Sequence, residues 1–186
     1  MAISFFGPLG KPVIMAIGNS RVIFILDMIA LGASKILDNV LTDIFQNDKT
    51  TVMSWHFKGD PMLFMQSLPL LKFYQKFAHF LDLPREYNRV TGKAMNTPQT
   101  VICETLLEQK KCELESNCNW EKRPIRLSQV HYAAMEVFVQ IEIFRKLKLI
   151  AKDKKMDPFI NQRYSIDFMQ SHTLTNAHER TGNDKQ

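Results

Sequence analysis

The sequence predicts an all-α protein: a compact bundle of about five helices with an irregular apolar N-terminal arm and a mobile C-terminal tail. Three observations carry that prediction. Apolar residues recur at three- and four-residue spacing over several long segments. Asp60-Pro61 and Thr97-Pro98 each read as a helix start, a capping residue followed by proline. The one candidate strand, Thr51–Gly59, has no evident partner nearby. The 186 residues are 45% hydrophobic and 23% charged, which allows a real core and excludes collagen-like and low-complexity chains. One domain over residues 1–170 is expected, with a flexible tail over residues 171–186.

In chain order, residues 1–19 are apolar but broken by Gly7, Pro8, Gly10 and Pro12, and read as the irregular arm with a short helix around Val13–Ile17. Ser20 then caps a long amphipathic helix. Its apolar face is Val22, Leu26, Ile29, Ala33, Ile36, Val40 and Ile44, its polar face Asp27, Ser34, Asp38 and Thr42, and Asn47-Asp48-Lys49 ends it. Thr51–Gly59, with Trp55, His56 and Phe57, is a connector. Asp60 and Pro61 start a helix that Pro69 kinks or restarts. Beyond it, Leu70, Phe73, Tyr74, Phe77, Phe80 and Leu81 form an aromatic stripe at helical spacing, assigned to the core, and Pro84 stops it.

Thr97 and Pro98 open a helix through Val101, Ile102, Leu106 and Leu107 that turns charged and exposed over Glu108–Glu115. A loop follows, with Trp120 plugging it to the body. The last long helix runs from about Ser128 to Lys154. Val130, Ala134, Val137, Ile141 and Phe144 lie on one side and Met135, Val139, Ile143 and Ile150 roughly opposite, so it is buried on two faces. Asp157 and Pro158 end it.

Basic residues exceed acidic ones by 24 − 19 = 5, which biases the chain toward anionic partners. The densest basic stretch is Arg145, Lys146, Lys148, Lys152, Lys154 and Lys155, at the end of the last helix. Charge there either complements the helix dipole or forms a contact surface for an acidic partner or membrane. Lys11, Arg21 and Asp27 cut the apolar first third into pieces too short to span a membrane, and the first ten residues lack the basic start of a secretory signal.

Cys103, Cys112 and Cys118 are too few for a disulfide framework. Cys112 and Cys118 could close a small loop in an oxidising compartment, and all three are thiols in a reducing one. Their spacing, with His131 the only nearby imidazole, does not suit zinc, and no metal or cofactor is expected. Cys103 or Cys112 with His131 is a formal nucleophile pair without an activating context. With no glycine-rich phosphate loop, HExxH, GxSxG or paired-carboxylate motif, no catalytic residue is assigned and a non-enzymatic binding protein is the expectation.

Phe144-Arg145-Lys146-Leu147 followed by Lys152-Asp153-Lys154-Lys155-Met156-Asp157-Pro158, with Tyr132 upstream and Met28-Ile29-Ala30 to Leu41 in the first helix, resembles the abalone sperm lysins and their 18 kDa fusion-associated acrosomal relative. The resemblance covers about a third of the chain. It implies a five-helix bundle secreted from the acrosomal vesicle that binds an egg-coat glycoprotein or perturbs anionic membranes without catalysis. The basic helix end would be the contact surface, and nucleic acid is not an expected partner. The alternative is a membrane-apposed helical matrix or structural protein, viral proteins among the candidates, that binds acidic lipid and self-associates, for instance as a homodimer.

Overall fold

The N-terminal residues form strands, not an arm. In the computed structural model, which describes residues 1–8, 11–55, 66–94, 96–156 and 166–167, β1 (Ala2–Phe6) pairs antiparallel with β2 (Ile14–Gly18), and β2 pairs antiparallel with β3 (Ile23–Asp27). Side chains alternate between two cores, as the twofold period of a strand demands. Ile3, Met15 and Ile17 enter one core; Ala2, Ile14 and Ala16 enter the other. The Gly and Pro residues that suggested irregularity lie in the connection between β1 and β2.

β3 occupies the first part of the expected long helix. The run Val22-Ile23-Phe24-Ile25-Leu26 is continuously apolar, so it matches a helical period as well as any other, but it is short and rich in β-branched and aromatic side chains. The turn before it fixes the hairpin. Asn19 Oδ1 accepts from the backbone N–H groups of Arg21 at 2.8 Å and Val22 at 3.2 Å. Gly18 is needed beside it, because a Cβ there would lie 2.4 Å from the Val22 carbonyl oxygen.

Asp27 ends β3 and caps the short helix α1 (Met28–Leu31), and Ser34 caps α2 (Lys35–Phe45) through the Leu37 N–H at 3.2 Å. The supposed connector contains β4 (Val52–Ser54), which pairs in parallel with β1 on one side and with β6 (Phe80–Asp82) on the other. The order is β3-β2-β1-β4-β6. The two remaining short strands, β5 (Lys76–Phe77) and β7 (Ile166–Asp167), pair with each other.

Phe73, Tyr74, Phe77, Phe80 and Leu81 enter the core as expected, whereas Leu70 is 68% exposed, and the segment is not one helix but a 3-10 turn at Phe73–Gln75 followed by β5 and β6. Asp38 Oδ1 holds it to α2 by accepting from the N–H groups of Lys72 at 2.6 Å and Phe73 at 2.8 Å. Phe45 stacks on Phe77 at 4.9 Å and meets Phe73 edge-on at 5.4 Å. Pro84, the expected stop, instead sits in the first turn of α3 (Leu83–Thr91), where its missing N–H costs no hydrogen bond.

α4 (Gln99–Ile102) starts at Pro98 and continues as a π-turn over Cys103–Leu107. Glu108 then adopts a left-handed conformation, φ 55°, so the charged residues to Glu115 leave the helix early. α5 (Leu127–Asp153) matches the expected last helix and is buried on two faces, although Met135, expected on the second of them, is 52% exposed. Ala133, Val137 and Ile141 pack on the sheet; Val139, Ile143, Leu147 and Ala151 pack on Tyr87, Val90, Ile102 and Cys103.

The fold is therefore α/β, a five-stranded mixed sheet with α2 against one face and α5 against the other, and the all-α bundle is overturned. All three cysteines are free thiols. The helix start at Asp60-Pro61, the stop at Asp157-Pro158 and the tail over 171–186 lie outside the described residues. Among the described residues, no helix is long and apolar enough to cross a membrane.

Candidate functional site

From β1 the chain turns to β2 and β3 on one side of the sheet, then returns through β4 to the other. The carboxyl ends of β1 and β4 therefore flank a topological switch point, where open α/β sheets leave a crevice for ligands. A cleft of about 420 Å³ opens there. Ser4, Phe5 and Phe6 line it from β1, and Ser54 and Trp55 from the end of β4. α5 contributes Tyr132, Glu136 and Gln140, which four-residue spacing places on one face. The fourth side comes from Gln99, Lys111 and Ser116.

Hydrogen bonds hold this constellation. Ser54 Oγ donates to the Ile3 carbonyl at 3.0 Å, and Gln140 Nε2 donates to Ser4 Oγ at 2.6 Å. Lys111 Nζ lies 2.7 Å from Glu136 Oε1 and donates to Gln99 Oε1 at 2.9 Å. The Lys111 and Glu136 side chains are only 10% and 11% exposed, so the pair works in a medium of low dielectric. Burial, then the hydrogen bond to Glu136 and its charge, push the Tyr132 phenol far above its ordinary range, so it stays a neutral donor.

The aromatic wall is braced from behind. Phe6 stacks on Trp120 at 4.6 Å and meets Tyr132 edge-on at 6.0 Å. Trp120, the expected plug, is 3% exposed. Its carbonyl accepts from Arg123 Nη1 at 2.7 Å, and Arg123 grips Asp27 through Nε–Oδ2 at 2.6 Å and Nη2–Oδ1 at 2.7 Å. This bidentate hydrogen bond, with help from the Ile29 and Ala30 N–H groups, holds the Asp27 carboxyl below its usual range against the opposing cost of burial.

None of the six basic residues singled out in the sequence lines the cleft. Arg145, Lys146, Lys148, Lys152, Lys154 and Lys155 are exposed on the C-terminal half of α5 and just past its end. Arg145 pairs with Glu142, the Lys148 ammonium lies 5.6 Å from the Phe144 ring centroid, and Lys154 Nζ donates to the Val90 carbonyl at 2.8 Å. Lys146 shares a second groove with Lys110 and Lys111, and Lys111 connects that groove to the cleft. Cys103 lies in the core cluster under α5, and burial raises its thiol; His131 and Cys112 line a depression that adjoins the cleft through Lys111, Tyr132 and Glu136.

The site residues that sequence reading missed are Ser4, Ser54, Gln99, Lys111, Glu136 and Gln140. A signal did exist for two of them: Glu136 and Gln140 are polar residues one turn apart among the apolar positions of a helix packed on two sides.

The fold and cleft define an α/β domain with a crevice at the carboxyl ends of its parallel strands. Residues 8–152 match the family model of the 3′–5′ exonucleases, and the chain belongs to that family. Its structure is similar to the Nibbler EXO domain of Aedes aegypti, with a TM-score of 0.70 and 19% identity over 84% of this chain and 81% of that one. It is similar also to the exoribonuclease RNase D of Escherichia coli, with a TM-score of 0.68 and 17% identity over 83% of this chain and 40% of that one. The catalytic core of RRP6 from Trypanosoma brucei gives 0.66 and 16% over 83% and 42%. The chain thus spans less than half the length of those last two. No curated protein matches it in sequence.

Family membership overturns the resemblance to the abalone sperm lysins, and with it the fertilization role and the egg-coat partner. The matrix-type alternative has no support either. The expectation of a non-enzymatic protein gives way to a family defined by an enzymatic activity, and the exclusion of nucleic acid gives way to a fold whose Trypanosoma brucei RNase D representative was solved with RNA.

Nucleases that cut phosphodiesters commonly hold two divalent cations about 4 Å apart on carboxylate oxygens. The described side chains of this cleft do not fit such a pair. They offer one carboxylate, Glu136, already engaged by Lys111, among hydroxyls and amides. Among the described residues, no group of three or more His, Cys, Asp and Glu is arranged to hold a metal.

Proposed function

We propose that this chain engages single-stranded RNA at its 3′ end, the end at which its family acts. The observation that carries the reading is the cleft at the β1–β4 switch point, which combines aromatic faces with a buried ammonium and is the size of a terminal nucleotide. A base can stack on rings without regard to sequence, while donors fix the phosphate and ribose. RNA is favoured over DNA by Gln140 Oε1, a buried acceptor to which a ribose hydroxyl can donate. Two of the similar structures, the RNase D proteins, are named for RNA. The groove bearing Lys110 and Lys146 extends the path along α5, and the basic helix end from Arg145 to Lys155 supplies charge for the following phosphates.

The test is fluorescence anisotropy with internally labelled RNA oligonucleotides carrying a free 3′ hydroxyl, a 3′ phosphate or, in a circle, no end at all. Tighter binding of the free 3′ hydroxyl is expected. Equal affinity for the circle would overturn the reading. The same samples run on a gel report shortening from the 3′ end.

A further inference from the structure

The cleft contains a fixed cation of its own. Lys111 Nζ carries three donors. It donates to Gln99 Oε1 at 2.9 Å and lies 2.7 Å from Glu136 Oε1 as an ion pair, while Glu113, 56% exposed at the rim, stands 3.8 Å away, beyond hydrogen-bond reach. A carboxylate-built metal centre is strongly negative until its cations arrive and repels a phosphate meanwhile. Here the ion pair leaves the interior neutral, so a phosphate meets no excess negative charge inside.

Besides Glu136 Oε1, two amide atoms of the cleft lack hydrogen-bond partners. Gln140 is 1% exposed; its Nε2 is committed to Ser4, and its Oε1 accepts no hydrogen bond. Gln99 Oε1 accepts from Lys111, and its Nε2 donates to nothing. Buried polar atoms are rarely left unsatisfied in folded proteins, and both residues line the same cleft. The set is the orphan acceptor of Gln140, the orphan donor of Gln99 and an ammonium with donors to spare, ion-paired with Glu136 Oε1, which itself accepts no hydrogen bond, beside the Phe6 and Tyr132 rings. Its complement is a group with a hydroxyl, an anionic oxygen and a flat face, which is a nucleotide.

Resting on the 3′-end reading above, we propose that Lys111 stands where a divalent cation would otherwise be needed, and that the cleft holds a terminal nucleotide without metal. A phosphate oxygen accepts from Lys111 Nζ and Gln99 Nε2, a ribose hydroxyl donates to Gln140 Oε1, and the base lies against the rings. No bond is made or broken in this capture.

The experiment measures affinity for 5′-labelled RNA with a free 3′ hydroxyl, using the full chain, in EDTA and in Mn²⁺ at matched ionic strength. The expected change between the two is under about twofold. Gln140→Leu removes the acceptor and should abolish the preference for RNA over a DNA strand of the same sequence, both with a free 3′ hydroxyl. Lys111→Met strands Glu136 and can unfold the chain, so the paired variant Lys111→Met/Glu136→Gln, which removes both charges, accompanies it. The paired variant should bind roughly ten- to a hundredfold more weakly. Binding that requires Mn²⁺, or a paired variant as tight as wild type, overturns the proposal while leaving the 3′-end reading intact. Absence of any 3′-end preference in both conditions overturns the two together.

Discussion

The clasp between Asp27 and Arg123 is the contact on which the aromatic wall of the cleft depends. Asp27 Oδ1 caps α1 through the N–H of Ile29 at 3.0 Å and of Ala30 at 3.4 Å, and the same carboxylate takes two bonds from Arg123. Asp27→Asn keeps a capping oxygen and removes the charge; Asp27→Ala removes both. Charge-assisted hydrogen bonds contribute about 1.5–3 kcal/mol when buried. The two side chains are 32% and 29% exposed, so screening leaves about half of that, near 1–1.5 kcal/mol. The cap adds about 1 kcal/mol. Asp27→Asn should thus cost about 1 kcal/mol and Asp27→Ala about 2 kcal/mol, roughly 3 °C and 6 °C in Tm at this chain length. Urea unfolding followed by circular dichroism measures both, and a cycle with Arg123→Met isolates the ion pair. The pH dependence is a second check. A carboxyl held below its unfolded value of about 3.9 contributes stability above that pH and loses it as pH falls through the depressed folded value. The gap between wild type and Asp27→Asn should therefore close under strong acid. A gap below about 0.3 kcal/mol at neutral pH, or one unchanged near pH 2, would refute the reasoning.

Other outcomes follow from burial and charge. Ile143→Ala removes a fully buried side chain between α5 and the α3–α4 side, and should cost about 3 kcal/mol in urea unfolding with an unchanged m-value. Thiol alkylation should rank Cys112 first, Cys118 slower and Cys103 last. Cys112 is exposed, whereas burial first raises the other two thiols and Cys103 is in the core. Equal rates in the native protein would contradict that placement. Replacing Lys152, Lys154 and Lys155 with Ala should weaken RNA binding and lower its salt slope by about 0.7 for each phosphate no longer neutralised; an unchanged slope removes the helix end from the strand's path.

The legible parts of the chain were those where one periodicity excluded the others. α5 has 27 residues with apolar positions on two faces, too long for a strand, and its ends and its burial on two sides follow from that pattern. Trp120 was readable as a plug because a large indole in a polar loop has few other uses. The sheet was hidden for the opposite reason. Its strands β1 to β4 are three to five residues long, and β2 is buried throughout, so a continuous apolar run replaces alternation. The pairing that makes β4 a strand lies some fifty residues away in β1, with Met53 opposite Ala2, and no local window contains it. Lys-rich helix ends misled because dipole compensation produces them in unrelated folds.

The cleft was illegible for a different reason: its place comes from topology and its chemistry from single residues. The switch point between β1 and β4 puts a crevice at the strand ends whatever side chains are present. Those side chains here are Ser4 and Ser54 on the sheet, Glu136 and Gln140 on α5, and Lys111 from the segment that leaves the π-turn early. That early exit, at the left-handed Glu108, is what releases Lys111 from a helical path and leaves it to reach Glu136 at 2.7 Å. Restoring helix through this segment would carry Lys111 away and strand the carboxylate. The local backbone choice at Glu108 and the charge state of the cleft are therefore one structural decision.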